Sequence, residues 1–252
     1  MLWKTLWIIR INQDTILTKQ TQTMKEVIKM PKLNKDKSSC KDVFNAFMLS
    51  KASYTGNLEF PIIRGCDEVP TGLIPFSKII SSTDYDNWIH FYEYDHILER
   101  LWNYPDHYLP YIKKFKGIIT PDFSLYCDMP LQMQINNIFR SRQVGNWLQN
   151  EGIAVIPNIR FGDSRTYKLS CMGVSKNSTI AISSYGSVKT RLYRDILDDG
   201  LPYIFENLTP KNVILYGSIT DVIQELEYKY NSKIWVFPSD CSKAHSSRKE
   251  VS

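Results

Sequence analysis

Two aspartates, Asp122 and Asp128, bracket the loop 121–130, which leaves an apolar run and enters an amphipathic one. A pair of carboxylates in such a loop can bind a cation or serve as a general acid and base. Simpler roles exist for both, since Asp128 precedes Pro130 by two positions and suits a helix N-cap, and Asp122 can fix a turn. We favour the cap for Asp128 and keep Asp122, together with Asp95 at the end of an earlier run, as the candidate catalytic residues.

Asn158 ends a third apolar run, 153–158, and Arg160 follows it; both are candidate ligand-binding residues. The planar guanidinium of an arginine can make two parallel charge-assisted hydrogen bonds to a phosphate or a carboxylate. A surface ion pair between Arg160 and Asp163 is the alternative interpretation. In both cases we expect Arg160 to face the mouth of a crevice.

Small turns that carry hydroxyl groups end two further runs, one at Ser184 and Tyr185 and the other at Ser218. Turns of this kind let backbone N–H groups approach an anion closely, so Ser184 and Tyr185 are also candidate ligand-binding residues. The turns lack the spacing of a Walker motif or a dinucleotide fingerprint. Helix capping by Ser187 and Ser218 is the commoner explanation for such serines.

The helix expected after Pro130 carries two arginines, Arg140 and Arg142, among several amide side chains. A polar helix face of this composition can contact nucleic acid. A solvated face with no specific partner is the interpretation that we favour.

The histidines and cysteines predict neither a metal site nor a Cys–His nucleophile. The 4 histidines have no H-x-x-x-H spacing, and the 5 cysteines are far apart and form no C-x-x-C pair. No cofactor is identified by any residue pattern. Unpaired cysteines, and an N-terminal apolar stretch too short to span a bilayer, favour a cytoplasmic protein with no membrane partner.

The candidate residues lie at the ends of six short apolar or β-branched runs, which we interpret as buried, mostly parallel strands. The runs cover residues 88–94, 117–122, 153–158, 179–184, 212–217 and 233–237. Helical patterns separate them, so the predicted fold class is α/β, with either an incomplete barrel-like sheet or an open doubly wound sheet. In both arrangements the carboxyl ends of the strands meet on one side, where ligands bind.

One domain accounts for most of the chain, because 252 residues of which 43% are hydrophobic suffice for one sizeable core. We assign this domain to residues 39–238, with the turn-rich segment 57–82 as an irregular cap. Residues 1–38 are expected to be a loosely ordered leader and residues 239–252 a disordered tail. The net charge of +5 is concentrated toward these ends and is not a nucleic-acid-binding signature.

An ordered series of short motifs resembles a family of unknown function, DUF4417, that phages, plasmids and other mobile elements often encode. The resemblance extends from about Asp42 to Tyr230 and implies no catalytic mechanism. It implies a role in replication, transfer or interference with host defence. The motifs are Pro121-Asp122-Phe123-Ser124-Leu125-Tyr126, Asp128-Met129-Pro130, Gln134, Asn137, Arg140, Arg142, Gly145, Gly152 and Ile156-Pro157-Asn158.

Three functions are compatible with these patterns. The first, which we favour, is an enzyme or binding domain whose crevice takes a phosphate-bearing small molecule or a nucleic-acid end. The second is an interaction module that docks on a host protein through partly exposed Trp88, Trp102 and Trp147. The third is a nucleic-acid-binding protein that uses Lys and Arg on helix faces and tails. The residues expected to line the crevice are Asp95, Asp122, Asn158, Arg160, Ser184 and Tyr185.

Overall fold

The structure is a computed structural model that describes residues 42–186, 190–240 and 242. The leader predicted at residues 1–38 lies outside the described residues, as does most of the predicted tail. Within the tail, Ser239 is buried, and the backbone N–H of Asp240 donates to the hydroxyl of Tyr216 at 3.1 Å.

Each of the six segments interpreted as strands contains one, and the fold class is α/β. A short antiparallel hairpin (β1 and β2) and a further strand (β3) precede them, within or beside the segment expected to be an irregular cap. The strands are β1 (Tyr54–Thr55), β2 (Phe60–Pro61), β3 (Leu73–Pro75), β4 (Trp88–His90), β5 (Gly117–Ile119), β6 (Ala154–Ile156), β7 (Thr179–Ser183), β8 (Asn212–Tyr216) and β9 (Lys233–Phe237).

Strands β3 to β6 form one parallel sheet and β7 to β9 form another. An isolated parallel bridge between Asn158 and Ala181 joins them, because Ile159 N–H donates to the Ala181 carbonyl at 2.8 Å and Ala181 N–H donates to the Pro157 carbonyl at 2.9 Å. Every strand from β3 to β9 neighbours the next one along the chain. This order has no reversal of the kind that a doubly wound sheet requires, so the barrel-like alternative describes it better.

Six α-helices connect or flank these strands in the described residues. Thr190 and Thr220 cap the last two helices, since their hydroxyls accept from the backbone N–H of Tyr193 and Ile223. The cap expected at Ser218 is therefore wrong, and Ser187 lies outside the described residues. The helices are α1 (Asp95–Asn103), α2 (Pro105–Ile112), α3 (Leu131–Asn150), α4 (Tyr167–Cys171), α5 (Arg191–Leu208) and α6 (Asp221–Tyr230).

The core lies on both faces of the strands. Helices α1 to α3 cover one face of the first sheet, and α5 and α6 cover the corresponding face of the second. The opposite faces of both sheets share one hydrophobic cluster, to which every strand from β3 to β9 contributes. The sheets therefore curve around a common interior, which brings the carboxyl ends of their strands toward one another. The fully buried aliphatic members of this cluster are Ile119, Ile156, Ala181 and Ile214.

Helix α3 is buried through most of its last three turns, including polar residues. The side-chain amide of Gln143 donates to the Phe44 and Asn45 carbonyls at 2.8 Å, and that of Asn146 donates to the Ile62 carbonyl at 2.7 Å. The irregular chain before β3 lacks a sheet partner for many of its carbonyls, and a buried carbonyl without a donor is costly. The amides of α3 supply those donors.

Arg142, also on α3, is 1% exposed, so the solvated face that we favoured for it is wrong. Its Nε donates to the Met172 carbonyl at 3.1 Å, Nη1 to the Asn158 carbonyl at 3.0 Å and Nη2 to the Ser170 carbonyl at 2.6 Å. Burial lowers its pKa to about 10, which still leaves the guanidinium charged at neutral pH. Arg142 therefore ties the helix to the chain that follows β6.

Replacing Arg142 by methionine should lower the free energy of unfolding by about 3 kcal/mol or more, because each buried carbonyl left without a donor costs about 1–3 kcal/mol. Methionine keeps much of the apolar stem, so the lost hydrogen bonds dominate. Urea denaturation measures the change. The control is Arg100→Met on the exposed face of α1, with an expected change within about 0.5 kcal/mol. Equal effects of the two substitutions would contradict the assignment.

Candidate functional site

Asp122 and Arg160 form a partly buried ion pair where β5 and β6 end. Arg160 Nη1 donates to Asp122 Oδ2 at 2.6 Å, and Asn158 Nδ2 donates to Asp122 Oδ1 at 2.6 Å. Both carboxylate oxygens therefore have a donor. The alternative pair of Arg160 with Asp163 is wrong, since Asp163 pairs with Arg165 instead.

Asn158 is held from several sides. Its side-chain oxygen accepts from the hydroxyl of Tyr92 at 3.1 Å, and its backbone N–H donates to the Thr120 hydroxyl at 2.9 Å. The ring of Tyr92 stacks on that of Tyr216, with centroids 4.5 Å apart and planes 19° apart. Because these groups are buried, Asn158 has a fixed orientation from which to bind Asp122.

Burial raises the pKa of both Asp122 and Tyr92. Desolvation raises the pKa of Asp122, and the nearby charge of Asp95 adds to the rise, whereas Arg160 and Asn158 oppose it. Burial also raises the pKa of Tyr92 well above its usual value of 10.0. Tyr92 therefore keeps its proton at neutral pH and can donate to Asn158.

A cleft of about 180 Å³ opens above this group, at the carboxyl ends of β5, β6 and β7. Asp122 and Arg160 form its polar part. Its walls also include the buried side chains of Ile159, Ile182 and Leu197, and the aromatic side chains of Tyr126, Tyr185 and Tyr193.

The guanidinium of Arg160 has more N–H donors than it has acceptor partners among the described residues. Its side chain is 32% exposed, and among the described residues Asp122 provides the one acceptor for its guanidinium. The Nε atom is buried and has no hydrogen-bond partner in that part of the chain. A guanidinium carries five N–H donors, so it retains the capacity to bind an anion.

Three of the six residues expected in the crevice do not line it: Asn158, which lies behind Asp122, and Asp95 and Ser184, which have other partners. Asp95, at the start of α1, accepts from the backbone N–H of Ser124 at 3.1 Å and does not line the cleft. It therefore does not share one cavity with Asp122. Ser184 is buried, donates to the Ser218 carbonyl at 2.7 Å and accepts from the Ser218 N–H at 2.8 Å. These bonds join the loops that follow β7 and β8.

Four of the six residues lie close to one another. Asp122, Arg160 and Tyr185 line the cleft, and Asn158 lies directly behind Asp122. Tyr126 and Tyr193 also line it, although the sequence patterns did not single them out. Tyr126 lies within the loop between Asp122 and Asp128, and its position there could have predicted that it lies near the site. Tyr193 reaches the cleft only because α5 packs beside it.

One wall of the cleft depends on a compact turn around Asp163. Arg165 Nε donates to Asp163 Oδ1 at 2.9 Å, and Arg165 Nη2 donates to Oδ2 at 2.7 Å. The same Nη2 donates to the Cys127 carbonyl at 3.0 Å, which connects the turn to the loop after β5. These bonds from Arg165 lower the pKa of Asp163 to about 2.

The remaining predictions concern metals, membranes and interaction anchors. Residues 42–186, 190–240 and 242 contain no group of three or more His, Cys, Asp or Glu side chains arranged to hold a metal ion. None of the helices formed by these residues is long and apolar enough to cross a membrane. Trp88 and Trp147 are buried, and Trp102 is half-buried with the Arg140 guanidinium 4.3 Å from its ring. These side chains are therefore not the exposed anchors that the interaction hypothesis needs.

The fold and the cleft define an α/β protein with a partly polar cavity at the carboxyl ends of parallel strands. The family model described as Domain of unknown function (DUF4417) matches residues 52–234, and the chain belongs to this family. The resemblance seen in the short motifs is thereby confirmed.

Similar proteins come from phages. The chain is 31% identical to the Gene 1 protein of Mycobacterium phage L5 over 182 residues, which are 71% of this chain and 78% of that protein. It is 30% identical to the Gene 1 protein of Mycobacterium phage D29 over 182 residues, 71% of this chain and 66% of that protein. No solved structure gives a significant match.

The Asp163 turn should make stability depend on acid pH. The folded pKa of about 2 lies below the ordinary value of 3.8, so the ionised carboxylate stabilises the fold above pH 3.8. That contribution is lost as the pH falls through about 2. The difference in unfolding free energy between the wild type and Asp163→Asn should therefore shrink over this interval.

Chemical denaturation at a series of pH values measures this difference. Glu225→Gln, on the exposed face of α6, is the control, and its difference from the wild type should stay small throughout. A difference for Asp163→Asn that does not change between pH 3.8 and about 2 would contradict the role of the ionised carboxylate.

Proposed function

We propose that the cleft binds a phosphate-bearing ligand, either a small molecule or the end of a nucleic acid, and that Arg160 contacts the phosphate. The observation that carries this proposal is the partly exposed guanidinium of Arg160, which has more N–H donors than acceptor partners in the described chain. Charge-assisted hydrogen bonds from arginine to phosphate are short, directional and frequently paired.

Asp122 has a positioning role in this proposal. Its Oδ2 holds one nitrogen of Arg160, and Asn158 holds its Oδ1, so the guanidinium is oriented before a ligand arrives. Preorganisation of this kind reduces the entropy lost on binding. Asn158 and Arg160 each occupy one lone pair of this carboxylate, so a proton-transfer role for Asp122 would use one of the remaining lone pairs.

In this proposal Tyr185 contacts the ligand directly, and Ser184 acts indirectly. Tyr185 lines the cleft beside Arg160, within reach of a bound ligand. Ser184 acts through the loop that carries Tyr185, because its two hydrogen bonds to Ser218 fix the chain just before that residue. Binding of a phosphate-bearing ligand suits a role in phage replication or in interference with host defence.

Arg160→Ala should weaken binding of pyrophosphate, used as a simple probe, by about tenfold or more, since a hydrogen bond to a charged group contributes about 1.5–3 kcal/mol. Arg160→Lys should restore part of the affinity, because lysine keeps the positive charge and N–H donors but lacks the planar fork that makes paired hydrogen bonds. Isothermal titration calorimetry measures the affinity of both variants. Thermal unfolding in the presence of nucleotides and Mg²⁺ extends the search to other ligands, because a specific ligand stabilises the fold by mass action.

The matched control is Arg100→Ala, which removes the same charge from an exposed position on α1. It should leave the affinity nearly unchanged. Equal losses for Arg160→Ala and Arg100→Ala would mean that only net charge matters. Wild-type protein that binds neither pyrophosphate nor any phosphate-bearing ligand of the screen would overturn the proposal.

A further inference from the structure

Three tyrosines line the same cleft as Arg160. Tyr126 comes from the loop after β5, Tyr185 from the loop after β7 and Tyr193 from the first turn of α5. Tyr126 is 43% exposed and Tyr185 is 37% exposed. Tyr193 is half-buried, so the mouth of the cleft carries two exposed tyrosine rings and one that is partly accessible.

The ring of Tyr193 lies close to the charged end of the cleft. Burial raises its pKa, the nearby Cys127, Asp128 and Tyr126 raise it further, and the positive charge of Arg160 lowers it. A tyrosine phenol, whose ordinary pKa is 10.0, already carries its proton at neutral pH, and the rise in pKa adds to that preference. Tyr193 therefore presents a neutral aromatic surface and a hydrogen-bond donor within the electrostatic reach of Arg160.

An inorganic phosphate uses none of this aromatic surface. A planar base does, because nucleobases stack on tyrosine rings, and each such contact contributes substantially to binding. The buried side chains of Ile159 and Ile182 form an apolar wall in the same cavity, which favours the flat body of a base over a hydrated group. The volume of about 180 Å³ is small for a binding pocket, which suits one nucleotide unit rather than a dinucleotide.

We infer that the ligand of this cleft is a single nucleotide unit, whose base packs against Tyr126, Tyr185 and Tyr193 while its phosphate meets Arg160. This inference rests on the proposed function and adds the chemical class of the ligand. A free nucleotide and the phosphorylated end of a single strand share this chemistry.

The test compares three ligands that differ in the base. Ribose 5-phosphate, adenosine 5′-monophosphate and cytidine 5′-monophosphate carry the same phosphate, and calorimetry gives the affinity of each. At least one nucleotide should bind about tenfold or more tightly than ribose 5-phosphate, as expected for base–aromatic stacking. The double variant Tyr126→Leu/Tyr185→Leu should lose this advantage and bind ribose 5-phosphate as the wild type does.

Two further variants serve as controls. Tyr126→Phe/Tyr185→Phe keeps both rings and should keep most of the nucleotide advantage, which shows that stacking and not the hydroxyls is responsible. Tyr228→Leu removes a tyrosine that is 92% exposed on α6, outside the cleft, and should change nothing. Thermal unfolding of each variant verifies that the fold is intact.

The outcomes separate the two proposals. Equal affinities for ribose 5-phosphate and both nucleotides would overturn the nucleotide inference and leave phosphate binding standing. A nucleotide advantage that survives in the Leu double variant would also overturn it, because the base would then lie elsewhere. Failure of all three ligands to bind would overturn the nucleotide inference, and failure of pyrophosphate and of every phosphate-bearing ligand in the screen would overturn the proposed function as well.

A fourth ligand identifies the source of the nucleotide unit. A short single-stranded oligonucleotide with a 5′-phosphate carries the same terminal nucleotide as the best mononucleotide. Tighter binding of the oligonucleotide indicates a strand end as the natural ligand, and tighter binding of the mononucleotide indicates a free nucleotide. Either result supports the inference, provided that the Leu double variant weakens it.

Discussion

Asn158 stands where the two sheets meet, and each of its polar groups has a partner. Its N–H donates to Thr120, its carbonyl accepts from Arg142, its side-chain oxygen accepts from Tyr92 and its side-chain nitrogen donates to Asp122. A buried amide is stable only when its hydrogen-bonding capacity is met in this way. The junction between the sheets and the orientation of the candidate site therefore depend on the same residue.

This arrangement links rigidity to function. Arg160 is oriented by Asp122, and Asp122 is held by an asparagine whose backbone is fixed by a sheet bridge and a buried arginine. Neighbouring strands β6 and β7 pair only around Asn158 and Ala181 before their chains separate. The separation makes room for the cleft, and the polar network compensates for the sheet hydrogen bonds that are absent there.

The local sequence pattern was sufficient to predict the strands and part of the site. β-branched runs such as 179–184 form strands because they pack on both faces of a covered sheet, and parallel strands bring Asp122, Asn158 and Arg160 to one edge. The order of the strands was not predictable, because alternation of strands and helices is the same in a barrel-like and a doubly wound sheet. Only the pairing of β3 to β9 in sequence distinguishes them.

Arg142 and Ser184 show why the rest escaped prediction. A periodic pattern identifies one apolar face of a helix, but it cannot reveal that irregular chain covers the polar face and requires donors for its carbonyls. Ser184 likewise has the residue type of an anion-binding turn, and only the neighbouring loop with Ser218 determines that its hydroxyl is already engaged. In both residues, a partner distant in sequence decides the role.

The net charge of the Asp122–Arg160 pair also distinguishes ligand binding in the cleft from general nucleic-acid binding. The pair is close to neutral when both groups are ionised, so attraction to a phosphate arises from short-range donors rather than from excess positive charge. Binding through Lys and Arg on exposed faces and tails would release many counterions and weaken steeply with salt. Binding by one oriented, partly buried guanidinium should depend only weakly on salt, because a partly buried pair is screened far less than exposed charges.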